Sequence, residues 1–256
     1  MSIELFSIRM LFCCIAYFFA GIVDSITGGG GLITLAAMLT AGIPVHYIIG
    51  TNQCAAWPGC GVGAWKYMKS GKIHITSALV TLPFAIAGSY LGARLNLIVP
   101  DYYLKVFMLV MVPIIAVFIV TNKDLGEDDR IDEMSGPSVV LWSAVIGSVL
   151  GGYQGFYGAG SGVFFMIAYA VFLKLNLVRA TGNTRFVIAI ASVTSVLTYA
   201  SSGAVIWNLA VAAAVFYSVG SYLGASLAIK KGAGFIRPIM IGVIILMIIK
   251  LVFDIM

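Results

Sequence analysis

DSITGGGGLITL, residues 24–35, interrupts a stretch that is apolar on both sides. It places an acid, several hydroxyls and four successive glycines where a continuous apolar helix would otherwise run. Glycine in a helix interior costs roughly 1 kcal/mol relative to alanine, so Gly28–Gly31 reads as a break. What the break is for depends on the chain around it. That chain is 61% hydrophobic and only 10% charged, whereas soluble domains carry roughly a quarter charged residues. Several windows of about 20 residues are nearly free of charge, long enough to cross a bilayer as helices. A transmembrane β-barrel would instead alternate apolar and polar residues. The expectation is an all-α polytopic membrane protein.

The N-terminus, with Glu4 where a signal peptide carries basic residues, reads as the start of the first helix. Cys13, Cys14, Cys54 and Cys60 all lie in apolar segments and read as small packing residues rather than a disulfide framework. The net charge of +5 comes without a basic stripe bearing interleaved aromatics, so nucleic-acid binding is not expected.

The break has a twin. GSYLGA occurs at Gly88–Ala93 and again, letter for letter, at Gly220–Ala225, 132 residues later. Ser70-Gly71 and Ser202-Gly203 keep that offset. Upstream it becomes 131: Gly21 pairs with Gly152, Gly29 with Gly160, Gly31 with Gly162 and Asn52 with Asn183. The chain is therefore expected to contain two homologous halves, 1–121 and 137–256, joined by a charged linker over 122–136. Each half has the same plan. A first apolar helix (about 4–25; 138–156) leads to a glycine break. A short apolar segment follows (about 32–41; 163–173), then three longer helices (about 46–67, 75–96 and 102–121; 180–200, 207–229 and 236–254).

Ten or eleven helical residues span only about half a hydrocarbon core. The short segment is thus either one arm of a re-entrant hairpin or a strongly tilted crossing. Either way each half makes an odd number of traverses, so the repeats are inverted. Basic residues agree. Lys66, Lys69, Lys72, Lys123, Arg130, Lys174, Arg179, Lys230, Lys231 and Arg237 fall on the linker side. Arg9, Arg94, Lys105 and Lys250 fall towards the other. By the positive-inside rule the linker is cytoplasmic and both termini are outside.

The glycine runs lack the Gly-Lys-Ser/Thr of a P-loop and follow no soluble strand. They can serve close helix packing, or free N–H groups at the start of the next half-helix, where partial positive charge and unpaired donors collect. Matched broken helices in two inverted halves point to a transporter's central site. Candidate substrate-binding residues are Gly28, Gly29, Gly30, Gly31, Gly160, Ser161 and Gly162. GTNQ (50–53) and TGNTR (181–185) add Asn52, Gln53, Asn183, Thr184 and Arg185. The two asparagines serve either as interhelical hydrogen-bond glue or as symmetric amide donors facing the breaks. Arg185 either snorkels to the cytoplasmic surface or contacts an anion. In the second case it joins the helix ends and amides in a donor-rich centre suited to a small oxyanion. Asp24 either carries a proton or accepts from loop N–H groups or a basic partner such as Arg185. Tyr153, Gln154 and Tyr157 add polar tips near the second break. His46 and His74 sit at helix ends without metal-ligand spacing. Neither an enzyme signature nor a cofactor or metal site is expected.

These motifs resemble the sulfite exporter TauE/SafE family, also called the toluene sulfonate uptake permeases. The resemblance rests on GIVDSITGGGGLIT (21–34), AGIP (41–44), IGTN (49–52), GFYGAGSG (155–162) and TGNTR (181–185), and it covers essentially the whole chain. It implies a bacterial inner-membrane permease of two repeats moving small sulfur-containing or organic anions, sulfite and organosulfonates among them. Members often carry a lysine after the first G-T-N and another in the second motif. Gln53 and Arg185 stand there in this chain, and Ala36 stands where a proline is common. The reading is a secondary transporter of small anions, with Asp24 as the proton-coupling candidate. Its partners are the anion and the lipid bilayer, and a homodimer stays open. The rivals are a membrane-embedded assembly protein and a passive anion channel.

Overall fold

The computed structural model describes residues 8–100, 103, 129–236, 238–239 and 242. Among them there are helices and no strand. α1 is Ile8–Thr27, α2 Gly30–Thr40, α3 Val45–Lys69 and α4 Ile75–Asn96. After a short 3-10 turn at Ile131–Glu133 come α5 Gly136–Phe156, α6 Ser161–Phe172, α7 Leu177–Ser201 and α8 Trp207–Lys231. The last helix expected in each half, 102–121 and 236–254, lies outside the described residues, apart from a few positions.

Five of these helices, α1, α4, α5, α7 and α8, are long and apolar enough to cross a membrane. α3 has the length, but Thr51, Asn52 and Gln53 and its glycines dilute its apolar character, and it is not one of the five. On α1 the exposed residues Ile8, Leu11, Phe12, Ile15 and Phe19 recur at helical spacing, while Met10, Cys13, Cys14, Tyr17, Gly21 and Asp24 form the buried face. Apart from Arg9 at the start of the helix, the face turned away from the protein is thus apolar, as lipid requires. All four cysteines are buried and free.

Local chemistry sets the helix ends. Asn176 caps α7 by accepting the Arg179 N–H at 2.9 Å. His74 caps α4, its Nδ1 accepting from the Ser77 N–H at 3.3 Å. Pro137 sits in the first turn of α5, where its missing N–H costs nothing. The described part of the linker is tied down. Asp129 pairs with Arg179, Arg130 donates its N–H to the Lys174 carbonyl at 2.9 Å, and Ile131 is buried.

Packing crosses between the halves. α1 lies along α8 and α4 along α5; α3 packs on α8 and α4 on α7, with α3 and α7 in contact at the centre. The first helix of each half therefore rests on the fourth helix of the other. The two GSYLGA copies make these seams. A Cβ on Gly88 would stand 2.7 Å from the Gly152 nitrogen, and one on Gly220 3.1 Å from the Ile22 nitrogen. Backbones meet at both places because neither glycine has a side chain, the packing that small residues allow in membranes.

Candidate functional site

α2 and α6 are the short helices that follow the breaks, and each runs back along the helix before it. Asp24 accepts the Gly30 N–H at 3.1 Å, and farther back Tyr17 donates its hydroxyl to the Met38 sulfur at 3.5 Å. In the second half, Tyr153 meets Phe164 edge to face and Trp142 stacks on Phe172. Gly28 (φ 83°), Gly158 (φ 78°) and Gly160 (φ 76°) make the turns, in a backbone region that disfavours side chains. The two breaks touch. A Cβ on Gly28 would fall on the Gly162 backbone, one on Gly162 would stand 2.6 Å from the Gly28 Cα, and one on Gly31 would stand 3.0 Å from the Ala159 Cα.

Beside this contact opens a cavity of about 30 Å³, room for one or two waters. Asp24, Gly28, Gly31, Asn52, Gln53, Ser161, Gly162 and Arg185, all named from the sequence, line it. Gly31 and Gly162, 131 residues apart, are the second residues of α2 and α6. The Gly30 N–H goes to Asp24, Leu32 to the Gly29 carbonyl, Ser161 to that of Gly158 and Val163 to that of Gly160, so each helix start offers the cavity one first-turn donor, the N–H of Gly31 or of Gly162.

One wall is charged. Arg185 is 1% exposed, so it does not snorkel to a surface. Its Nη1 pairs with Asp24 Oδ2 and its Nη2 donates to the Asp24 carbonyl. Nη1 also lies 3.6 Å from Cys60 Sγ, while Nε has no partner among the described residues. Asp24 is buried as well. Its Oδ1 takes the Gly30 N–H and its Oδ2 also takes the Tyr217 hydroxyl. An ion pair away from water survives only with such further hydrogen bonds, and removing one partner typically costs about 3–5 kcal/mol.

The opposite wall is neutral. Gln53 donates to the Gln154 carbonyl at 2.8 Å, and the Gln154 amide donates back to Gln53 Oε1 at 3.2 Å and to Ser192 at 2.9 Å. Ser89 donates to Gln154 Oε1 at 2.9 Å. This pair and the ion pair correspond across the repeat. Gln154 precedes Gly155, the counterpart of Asp24, and Gln53 precedes Cys54, the counterpart of Arg185. Each pair joins the first helix of one half to the third helix of the other.

The twin asparagines separate in role. Asn52 Oδ1 accepts the Tyr17 hydroxyl at 3.1 Å and the Thr34 hydroxyl at 2.6 Å. Its amide nitrogen has no partner among the described residues, in a side chain that lines the cavity and is 5% exposed. Asn183 does not line the cavity. It accepts the His74 N–H at 2.7 Å and donates to the Ser77 hydroxyl at 2.8 Å, tying α7 to the start of α4. Its amide is consumed by α4 and leaves no donor for a symmetric pair. Thr184 also points elsewhere, donating to the Ala180 carbonyl at 2.8 Å. Gly29, Gly30 and Gly160 flank the breaks without lining the cavity; Gly30 is pressed between Ala20 and Asp24.

Tyr217, Cys60, Gln154, Ser192 and Trp57 also line the cavity. Gln154 was visible as a polar tip beside the second break. Tyr217 was not, although it sits one helical turn before the second GSYLGA, where the first copy is preceded by Ala85. Cys60 serves as more than packing, since its thiol contacts Arg185.

Comparison with known proteins gives the same answer over nearly the whole length. The chain is 31% identical over 245 residues to the probable membrane transporter protein ORF9 of a Sinorhizobium species, covering 96% of this chain and 93% of that one. It is 28% identical over 254 residues to the probable membrane transporter protein YfcA of Escherichia coli K12, covering 98% and 93%. It is 27% identical over 237 residues to the probable membrane transporter protein YdhB of Bacillus subtilis, covering 90% and 97%. No solved structure matches. The family model described as sulfite exporter TauE/SafE matches residues 13–251. This multi-pass membrane protein belongs to the sulfite exporter TauE/SafE family.

Proposed function

We propose that the protein is a secondary transporter of small anions in the bacterial inner membrane, with sulfite or an organosulfonate as its substrate. The observation that carries this reading is the meeting of two glycine breaks, 131 residues apart, beside one cavity that holds a buried arginine. Two helix starts, the Asn52 amide and the Arg185 guanidinium converge there, a donor set for an oxyanion. The two halves are inverted repeats with the site at their interface, the arrangement of many secondary transporters. The exchange of first and fourth helices between the halves supports that symmetry. The basic residues orient the linker towards the cytoplasm and both termini outside.

Proteoliposomes containing the purified protein test the reading. Arg185 cannot be removed alone, because Asp24 would be stranded in the interior; the double variant Asp24→Asn/Arg185→Gln removes both charges. Wild-type protein should move sulfite or methanesulfonate, with flux at least 100-fold lower in the double variant and a melting temperature within a few degrees of wild type. Wild-type flux from the folded double variant would remove Arg185 from the site. Absence of flux from the wild type with every sulfur anion tried would overturn the transport reading.

A further inference from the structure

We propose that Asp24 is a proton-linked counterion that the transported anion displaces from Arg185, so that one proton enters the cavity with each negative charge. The proposal rests on the anion-site reading above. Both terminal nitrogens of Arg185 are engaged by Asp24, through its carboxylate and its carbonyl. An anion reaches Nη1 only by taking the place of the carboxylate. Two anionic groups sharing one buried guanidinium repel each other, and protonation of one of them relieves that repulsion. Arginine keeps its own proton throughout.

The surroundings of Asp24 suit both of its states. As a carboxylate it accepts from Arg185, Tyr217 and the Gly30 N–H. As the neutral acid its Oδ1 still accepts from Gly30. Its new O–H faces the Tyr217 hydroxyl, which can turn from donor to acceptor because a phenol is both. The step balances: a hydronium from solvent gives up one O–H bond and becomes water as one O–H bond forms on Asp24, and the ion pair of Arg185 with Asp24 is exchanged for an ion pair with the anion. The titratable groups facing Asp24 are Arg185 on α7, Tyr217 on α8 and Cys60 on α3. On α1, Tyr17 lies edge-on to the Tyr217 ring.

Two independent observations favour a displaceable pair over a fixed strut. The corresponding junction between the other pair of helices is made by Gln53 and Gln154, so joining a first helix to a third does not require charge. Asp24 also leaves part of the guanidinium unused: Nε has no partner among the described residues, and the hydrogen bonds of Asn52 beside it are accepted by its Oδ1.

The test uses reconstituted full-length protein with sulfite and with methanesulfonate, whose charge does not vary with pH. An imposed gradient, alkaline inside, should drive accumulation by the wild type, with one proton taken up per methanesulfonate. Asp24→Asn, which mimics the neutral acid, should lose accumulation and pH dependence yet still exchange labelled for unlabelled anion. Asp24→Glu should keep coupling. Wild-type flux that ignores the pH gradient overturns the proposal and leaves the anion site standing. Concentration of the anion by Asp24→Asn overturns it too, as does a folded Asp24→Asn protein inactive in both assays. If Asp24→Asn does not fold, the wild-type proton-to-anion ratio decides alone. No flux of either anion from the wild type overturns the anion-site reading and this proposal with it.

Discussion

Gly28 is held by two constraints at once: its φ of 83° and the Gly162 backbone pressed against it. Gly28→Ala should therefore destabilise by about 2 kcal/mol or more, from backbone strain and overpacking together. A thermal melt in detergent checks this against Gly61→Ala. Gly61 is helical and has nothing within 4 Å, so that change should be neutral or slightly stabilising. At this scale the sequence discloses which residues are out of place in an apolar chain, and Asp24 and Arg185 were visible for that reason. Their pairing stood only as one alternative for Asp24, because 161 residues separate them and no spacing rule connects two different helices. Asn52 and Asn183 were legible as twins, but their differing roles depend on the hydroxyls and backbone groups brought against them by other helices. Tyr217 and Ser192 carry no local mark in the sequence that distinguishes them from other residues of an apolar helix.

Helix order and most helix ends were legible, because apolar runs and caps are local. The short helices start two residues earlier than expected, at Gly30 and Ser161. Glycine is tolerated in a first turn, where there is no carbonyl one turn back to bond, so the break shrinks to the residues that need positive φ. The start of α4 yields a pH prediction. Burial, reinforced by the charge of Arg179 and opposed by Asp132 and Asp129, holds the His74 pKa below its usual value near 6.5. The unfolded chain then binds the proton first as pH falls. The stability contributed by neutral His74 is complete above pH 6.5 and is lost as pH falls from there towards the lowered native value. Melting temperatures at pH 7.5 and 5.5 should differ more for the wild type than for His74→Asn, which keeps a cap without the titration. Equal differences would show that His74 does not contribute.

For the whole molecule, the letters that recur at an offset of 131 or 132 were legible, while the contacts of the first helices with the fourth were not. Offset reveals correspondence, not contact. Sidedness is the property that inversion fixes. Ser70 and Ser202 are exposed and occupy matching turns of the two halves. With an impermeant maleimide, Ser70→Cys should label from the cytoplasmic side and Ser202→Cys from outside. Labelling of both from one side would contradict inversion. Order of synthesis follows from the same packing. Of the described helices α1 emerges from the ribosome first, yet its main neighbour is α8, the last of them. Until α7 and α8 arrive, α1 is held by α2, α3 and its own apolar character, the highest mean hydropathy of the five candidate spans at 1.9. Asp24 enters the bilayer before its partner exists and waits there until translation reaches Arg185. Of the described helices the first made is thus among the latest to be finished, and a nascent chain halted in the linker would have α2 and α3 beside α1 but neither α8 nor Arg185.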